Sequence, residues 1–208
     1  MFCRCDKIKK IKDNVAKTRT FQSTMIETNK FINISKLDVA KRELDHTIKL
    51  FFNYGDFVII HLTICAAEDI LSGIGKSSGV TSIKDELKKN IKPEKQKYVM
   101  DKINAPYNFF KHANHDPDKL LMFNPESSEF SIFDCINMYQ RLTNEITGLM
   151  MSFRAWFYLK HKDILVAQSP EQVESFRSLG KDININDRAF FLEAANTFES
   201  QRTTGNKT

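Results

Sequence analysis

The stretch PYNFFKHANHDPD, residues 106–118, holds the densest set of groups able to move protons or grip an anion: Asn108, Lys111, His112, Asn114, His115 and Asp116. Asn108 and His112 are four apart, as are Lys111 and His115, so on a helix each pair shares a face. Phe109 and Phe110 could anchor the opposite side. Such a face offers an imidazole that exchanges protons near neutral pH beside an amide and an ammonium that could orient a phosphate. That is a kit for phosphoester cleavage, with His112, Lys111 and Asn108 as candidate catalytic residues and His115 and Asp116 as candidate binding residues. The alternative reading is a helix C-terminus, where His112 and His115 meet the negative end of the dipole and Asp116-Pro117 starts a loop.

A second set lies in FVIIHLTICAAEDIL, where His61, Cys65, Glu68 and Asp69 fall near one face of an otherwise apolar helix. Buried ionisable groups are costly unless paired, so His61 and Glu68 are candidate binding residues facing a pocket, a partner helix or His112. They could equally mark the solvent edge of that helix. Glu43 and His46 have the Glu-x-x-His spacing of carboxylate-bridged di-iron bundles, which require two such motifs and two further glutamates. With one copy no first shell can be written, so no metal and no cofactor are expected. No glycine-rich phosphate loop, nucleophile elbow or Cys-x-x-Cys pair is present.

The elements that would position these groups are helical. Ser35 with Asp38 opens KLDVAKRELDHTIKLFFN, stopped by Asn53 and Gly55, and Asp56 caps FVIIHLTICAAEDILSGI, closing near Gly73 and Gly75. The short link predicts that these two helices lie antiparallel. Ser82 and Asp85 start TSIKDELKKN, Pro93 suits the first turn of PEKQKYVMDKIN, and Pro106 restarts or kinks the chain into PYNFFKHANH. Residues 116–129 read as a long loop. Helical periodicity resumes from Glu129 through Leu142, breaks at Gly148, and returns in LMMSFRAWFYLKHKDIL. Leu149, Met150, Phe153, Trp156, Phe157 and Leu159 exceed one core-facing stripe, so this helix is expected to offer a dimer surface. SPEQVESFRSLG and INDRAFFLEAANTFES, capped by Asn186 or Asp187, complete the chain as a helical hairpin.

Two hundred and eight residues with 41% hydrophobic and 27% charged content describe an ordinary globular chain. A chain of this length buries roughly 70% of its unfolded surface without disulfides or metals. Cys3, Cys5, Cys65 and Cys135 form no legible disulfide framework, so a reducing cytoplasm is the expected setting. The apolar run Phe57 to Leu71 is short and broken by His61, Glu68 and Asp69, so no membrane association is expected, and the basic N-terminus lacks a secretory pattern. Residues 1–22 hold seven cationic against two acidic side chains, while the other 186 residues hold 24 of each. The basic character is thus expected to belong to a tail and the body to be neutral, which argues against a strong nucleic-acid binder.

ISKLDVAKRELDHTIKLFFNYGD, IHLTICAAEDIL, NAPYNFFKHANHDPD, FNPE and MYQRL together resemble a family of uncharacterised bacterial helical proteins with an NFFKHAxxDP signature, over residues 34–165. The resemblance implies a shared helical fold and a polar site at Asn108, Lys111, His112, Asp116 and Pro117. More loosely, the chain is similar to HEPN domains, helical bundles of prokaryotic defence systems, many of them ribonucleases. Their site is an arginine, a polar residue and a histidine in Arg-x4-6-His spacing. Asn108 and His112 match the latter two, and no arginine precedes His112 at that distance.

The expected fold is all-α: an antiparallel helical bundle of four or five main helices with a C-terminal helical hairpin. Residues 1–33 are expected to form a basic, flexible tail, 34–167 the bundle, 168–200 the hairpin and 201–208 a polar tail. The expected function is a non-enzymatic interaction or dimerisation module with a protein partner or a second copy. The alternative is a HEPN-like RNA-directed nuclease or nucleotide-binding protein using His112.

Overall fold

In a computed structural model, residues 31–112, 117–163 and 183–205 are described. Seven helices and no strand occur among them. Helix α1 (Lys36–Phe52) buries Ala40, Leu44, Thr47, Ile48, Phe51 and Phe52, the single stripe that a 3.6-residue period produces. It ends in a tight turn in which Tyr54 takes the left-handed conformation (φ 53°) and the Gly55 amide donates to the Leu50 carbonyl at 2.8 Å. Asp56 then caps α2 (Phe57–Ser78) as its sequence predicts, accepting the Val58 and Ile59 amides at 2.8 and 3.1 Å. The four-residue link folds α1 and α2 into a closely packed hairpin.

Helix α2 outruns its expected stop near Gly73 and Gly75 and ends at Gly79, which adopts the left-handed φ of 67°. Gly75 serves another purpose: the returning chain lays the Val80 carbonyl against it, where a Cβ would collide. By length and composition α2 is apolar enough to cross a membrane, contrary to the reading of its shorter run. In this structure it packs on α1 and on α5, with Ile60, Ile64, Ala67 and Leu71 buried between them, α5 being Ser127–Thr143.

Helix α3 (Ile83–Lys89) begins with the expected capping box of Ser82 and Asp85 and buries none of its own residues. Helix α4 (Pro93–Lys111) runs through Pro106 without interruption, so PYNFFK belongs to it and is not a separate helix. It stops at Lys111, before the expected His115, because His112 turns to extended backbone (φ −132°, ψ 131°). Helix α6 (Gly148–Lys160) is capped by Thr147, whose hydroxyl accepts the Met150 amide at 3.3 Å. In α7 (Arg188–Gly205) the Asp187 carboxylate accepts the Phe190 amide at 3.2 Å, and the helix continues into the stretch read as a polar tail. The expected N-terminal tail through residue 30 and the first helix of the C-terminal hairpin, within 164–182, lie outside the described residues.

The apolar surplus of α6 is absorbed internally. Met150, Phe153, Trp156 and Phe157 are fully buried, and Leu149 and Leu159 pack against the same core. Trp156 meets Phe51 at 4.6 Å between ring centres and donates its indole N–H to the Ile185 carbonyl at 3.0 Å, while Phe157 stacks on Phe133 at 4.3 Å. Helix α7 covers α6 through Gly148, against which the Ala195 carbonyl sits, and through the Ser152 hydroxyl, which donates to the Phe191 carbonyl. The expected dimer surface on α6 is therefore core, because α1, α5 and α7 all pack against that one helix.

Candidate functional site

The polar stripe of α2 is a buried seam. His61 and Glu68 are only 4% and 5% exposed. Nδ1 of His61 lies 3.0 Å from the Ser128 hydroxyl, and Nε2 lies 3.6 Å from Cys65 Sγ. Phe110 of α4 and Phe123 set their rings edge-on to the imidazole at 5.8 and 4.9 Å and touch each other at 5.1 Å. Desolvation, reinforced by the Lys84 charge, pushes the imidazole down to about 4, so it is neutral near pH 7. Burial raises the Cys65 thiol to about 12, which removes the thiolate a nucleophile needs.

One turn further along, Lys84 of α3 reaches Glu68 at 2.8 Å and Asn104 of α4 at 3.5 Å. Burial raises the Glu68 carboxyl, and Lys84 offsets part of that shift. From α5, Asp134 accepts the Ile83 amide at 2.8 Å. Its carboxyl is raised to about 6 by burial, with the amide pulling the other way. Ser72 adds a hydrogen bond to Asp85 at 3.2 Å. These contacts pin α3, which has no buried side chain of its own, across α2 and α5.

The expected catalytic residues lie at the C-terminal end of α4. Lys111 places Nζ over the Tyr107 ring at 3.8 Å, Tyr107 hydrogen-bonds Asp69, and Asn108 and His112 are exposed. The His112 amide donates to the Asn108 carbonyl at 3.1 Å, which is a helix-terminating bond. Helix α4 thus meets α2 with Phe110 against His61 and with Tyr107, which carries Lys111 over its ring, against Asp69. The structure therefore brings His61, Cys65 and Glu68 together, with the Lys111 charge felt at Cys65, and among the described residues no hydrogen bond or ion pair joins them to Lys111 or His112. His115 and Asp116 lie outside the described residues. Among the described residues no group of three or more His, Cys, Asp or Glu side chains could hold a metal ion, and the Glu43 and His46 pair gains no further ligand.

Sequence reasoning missed Lys84, Asn104 and Asp134. The available signal was Asp134 itself, an acid set between Phe133 and Cys135 in an apolar run. It missed also a half-buried cluster at the far end of the α5–α6 pair, where buried Glu129 meets Lys160 at 2.8 Å and His161 at 2.9 Å. Arg154 and His161 have six residues between them, within the Arg-x4-6-His spacing noted above. Arg154 binds Asn137 and Gln140 at 3.3 and 2.7 Å, and the Phe133–Phe157 stack lies on the same α5–α6 seam as the Glu129–His161 contact. The two side chains are engaged with different partners on α5, Arg154 with Asn137 and Gln140 and His161 with Glu129. Two surface grooves of about 420 and 400 Å³ flank α3, and neither is lined by His61, Glu68, Lys111 or His112. No protein-family model, curated protein or solved structure matches the chain.

Proposed function

We propose that this chain is a helical interaction module that works by binding and breaks no bond. The observation that carries this reading is the fate of the imidazoles. His61 is sealed beneath Phe110 and Phe123, and His112 is exposed with no carboxylate or arginine partner among the described residues. Acid–base catalysis needs donor and acceptor within hydrogen-bond reach of one reacting atom; neither of these two histidines supplies that pairing, and His161, which does meet the Glu129 carboxylate, is tied into a cluster with Lys160 and lines neither surface groove. A protein partner or a second copy is supported by the apolar start of α2, where Phe57, Val58 and Ile59 are 41%, 38% and 48% exposed beside an exposed Tyr54. The family likeness carried by NFFKHAxxDP, with its bacterial and cytoplasmic setting, belongs to the same reading.

The HEPN-like nuclease using His112 is the competing function, and one assay separates the two. Labelled single-stranded RNA incubated with excess protein should remain intact, and His112→Ala should leave the melting temperature within a degree or two. Cleavage that His112→Ala abolishes would overturn the proposal.

A further inference from the structure

The neutral body is a sum of opposites. Residues 76–111, from the end of α2 through α4, carry nine lysines against four acids, while residues 23–75 and 112–208 together carry 15 cationic against 20 acidic side chains. On this arm Lys84 is consumed by Glu68, Lys89 by Glu86 and Lys97 by Asp101. Lys88, Lys92, Lys95 and Lys102 form no ion pair among the described residues, and all four are exposed. Lys95, Tyr98 and Lys102 follow at steps of three and four and so share one face of α4. Tyr98 is 64% exposed, with the Lys102 ammonium 5.7 Å from its ring centre. Beside this face lies the groove of about 420 Å³ lined by Lys76, Thr81, Lys88, Lys89 and Gln96.

We infer that the α3–α4 arm binds single-stranded nucleic acid, its lysines contacting backbone phosphates and Tyr98 stacking on a base. This rests on the binding-module reading and adds a nucleic-acid partner on a surface separate from the apolar start of α2. Unpaired lysines concentrated on one arm, against a body of opposite charge, select a polyanion and orient it. An exposed aromatic among them suits unpaired bases, which offer a π-face regardless of sequence. A membrane surface would call for several apolar side chains between the lysines; this face of α4 has the one tyrosine, and the exposed Ile83 and Leu87 of α3 add only two to the arm.

The test is fluorescence anisotropy of the full chain with a labelled oligouridylate of about 20 nucleotides. Three neutralised phosphates give a log–log salt slope of about −2, so binding should weaken about twentyfold between 50 and 200 mM salt. Lys88→Glu with Lys95→Glu should weaken it at least about tenfold, and Tyr98→Ala about tenfold, with unchanged thermal melts. The tail variant Lys9→Glu, Lys10→Glu, Lys12→Glu, in the full chain, should retain most of the binding. Loss in the tail variant with retention in the arm variants overturns the inference. So does binding to phosphatidylserine vesicles or an acidic polypeptide, but not to oligouridylate. RNA that is neither bound nor cut removes this inference and leaves the binding-module reading standing, whereas cut RNA removes that reading whichever surface holds the strand.

Discussion

His61 and Asp134 titrate in opposite senses across the same range. The folded imidazole sits at about 4 against 6.5 when free, so the unfolded chain takes up the extra proton and stability is lost as pH falls from 6.5 to 4. Asp134 sits at about 6 against 3.8, so the native chain takes up the proton and stability is lost as pH rises from 3.8 to 6. Between pH 4 and 6 the two slopes oppose each other. Asp134→Asn keeps an acceptor for the Ile83 amide and removes one slope, so its stability should fall more steeply than that of the unaltered protein on acidification from pH 6 to about 4.5. Urea unfolding at the two pH values measures this, and parallel slopes would show that Asp134 does not hold the proton. Lys84→Met should destabilise by about 2 to 4 kcal/mol by stranding buried Glu68, and adding Glu68→Gln should recover much of the loss. A double-mutant cycle by thermal melt reads that coupling.

Elements differ in what holds them. Helices α1, α2, α5 and α6 share one apolar core, whereas α3 is pinned by Ser72–Asp85, Lys84–Glu68 and Ile83–Asp134. Polar pins open locally at lower cost than core burial, so amides of α3 and the first turns of α4 should exchange faster than those of α2 and α5. Asp134→Ala should widen that gap, and equal protection in both regions would refute it. Packing of α7 on α6 depends on Gly148, where an added Cβ would meet the Ala195 carbonyl. Gly148→Ala should therefore cost at least about 1 to 3 kcal/mol despite alanine's better helix propensity. A melt no lower than that of the unaltered protein would mean that the two helices can move apart freely.

At the scale of the whole molecule, Trp156 reports on the assembly of the core. The only tryptophan in the chain touches Phe51 of α1 and Phe153 of its own helix, and it is tied to Ile185 ahead of α7. Its emission should be blue-shifted and should change in one step coincident with far-UV circular dichroism during urea unfolding. A circular dichroism change that precedes the tryptophan transition would locate an earlier melting region outside this core. The charge division also belongs to this scale: composition reports a neutral body, and the fold gathers the lysines of α3 and α4 on one arm.

Local rules sufficed for the all-α class, the Asp56 cap, the Ser82–Asp85 box and the core stripe of α1, because each depends on residues within about one helical turn of each other. The stop of α4 at Lys111 and the end of α2 at Gly79 escaped those rules, since Gly75 is needed for contact with Val80 and His112 leaves the helix without a glycine. The same limit separated the two histidine clusters. Periodicity put His61, Cys65 and Glu68 on one face and Asn108 and His112 on another, but it carries no information on which face of α4 turns toward α2. Tertiary packing decided that by setting half-buried Phe110 and Phe123 over His61 and Tyr107 beside Asp69, because covering the buried imidazole shelters aromatic area while His112 stays exposed.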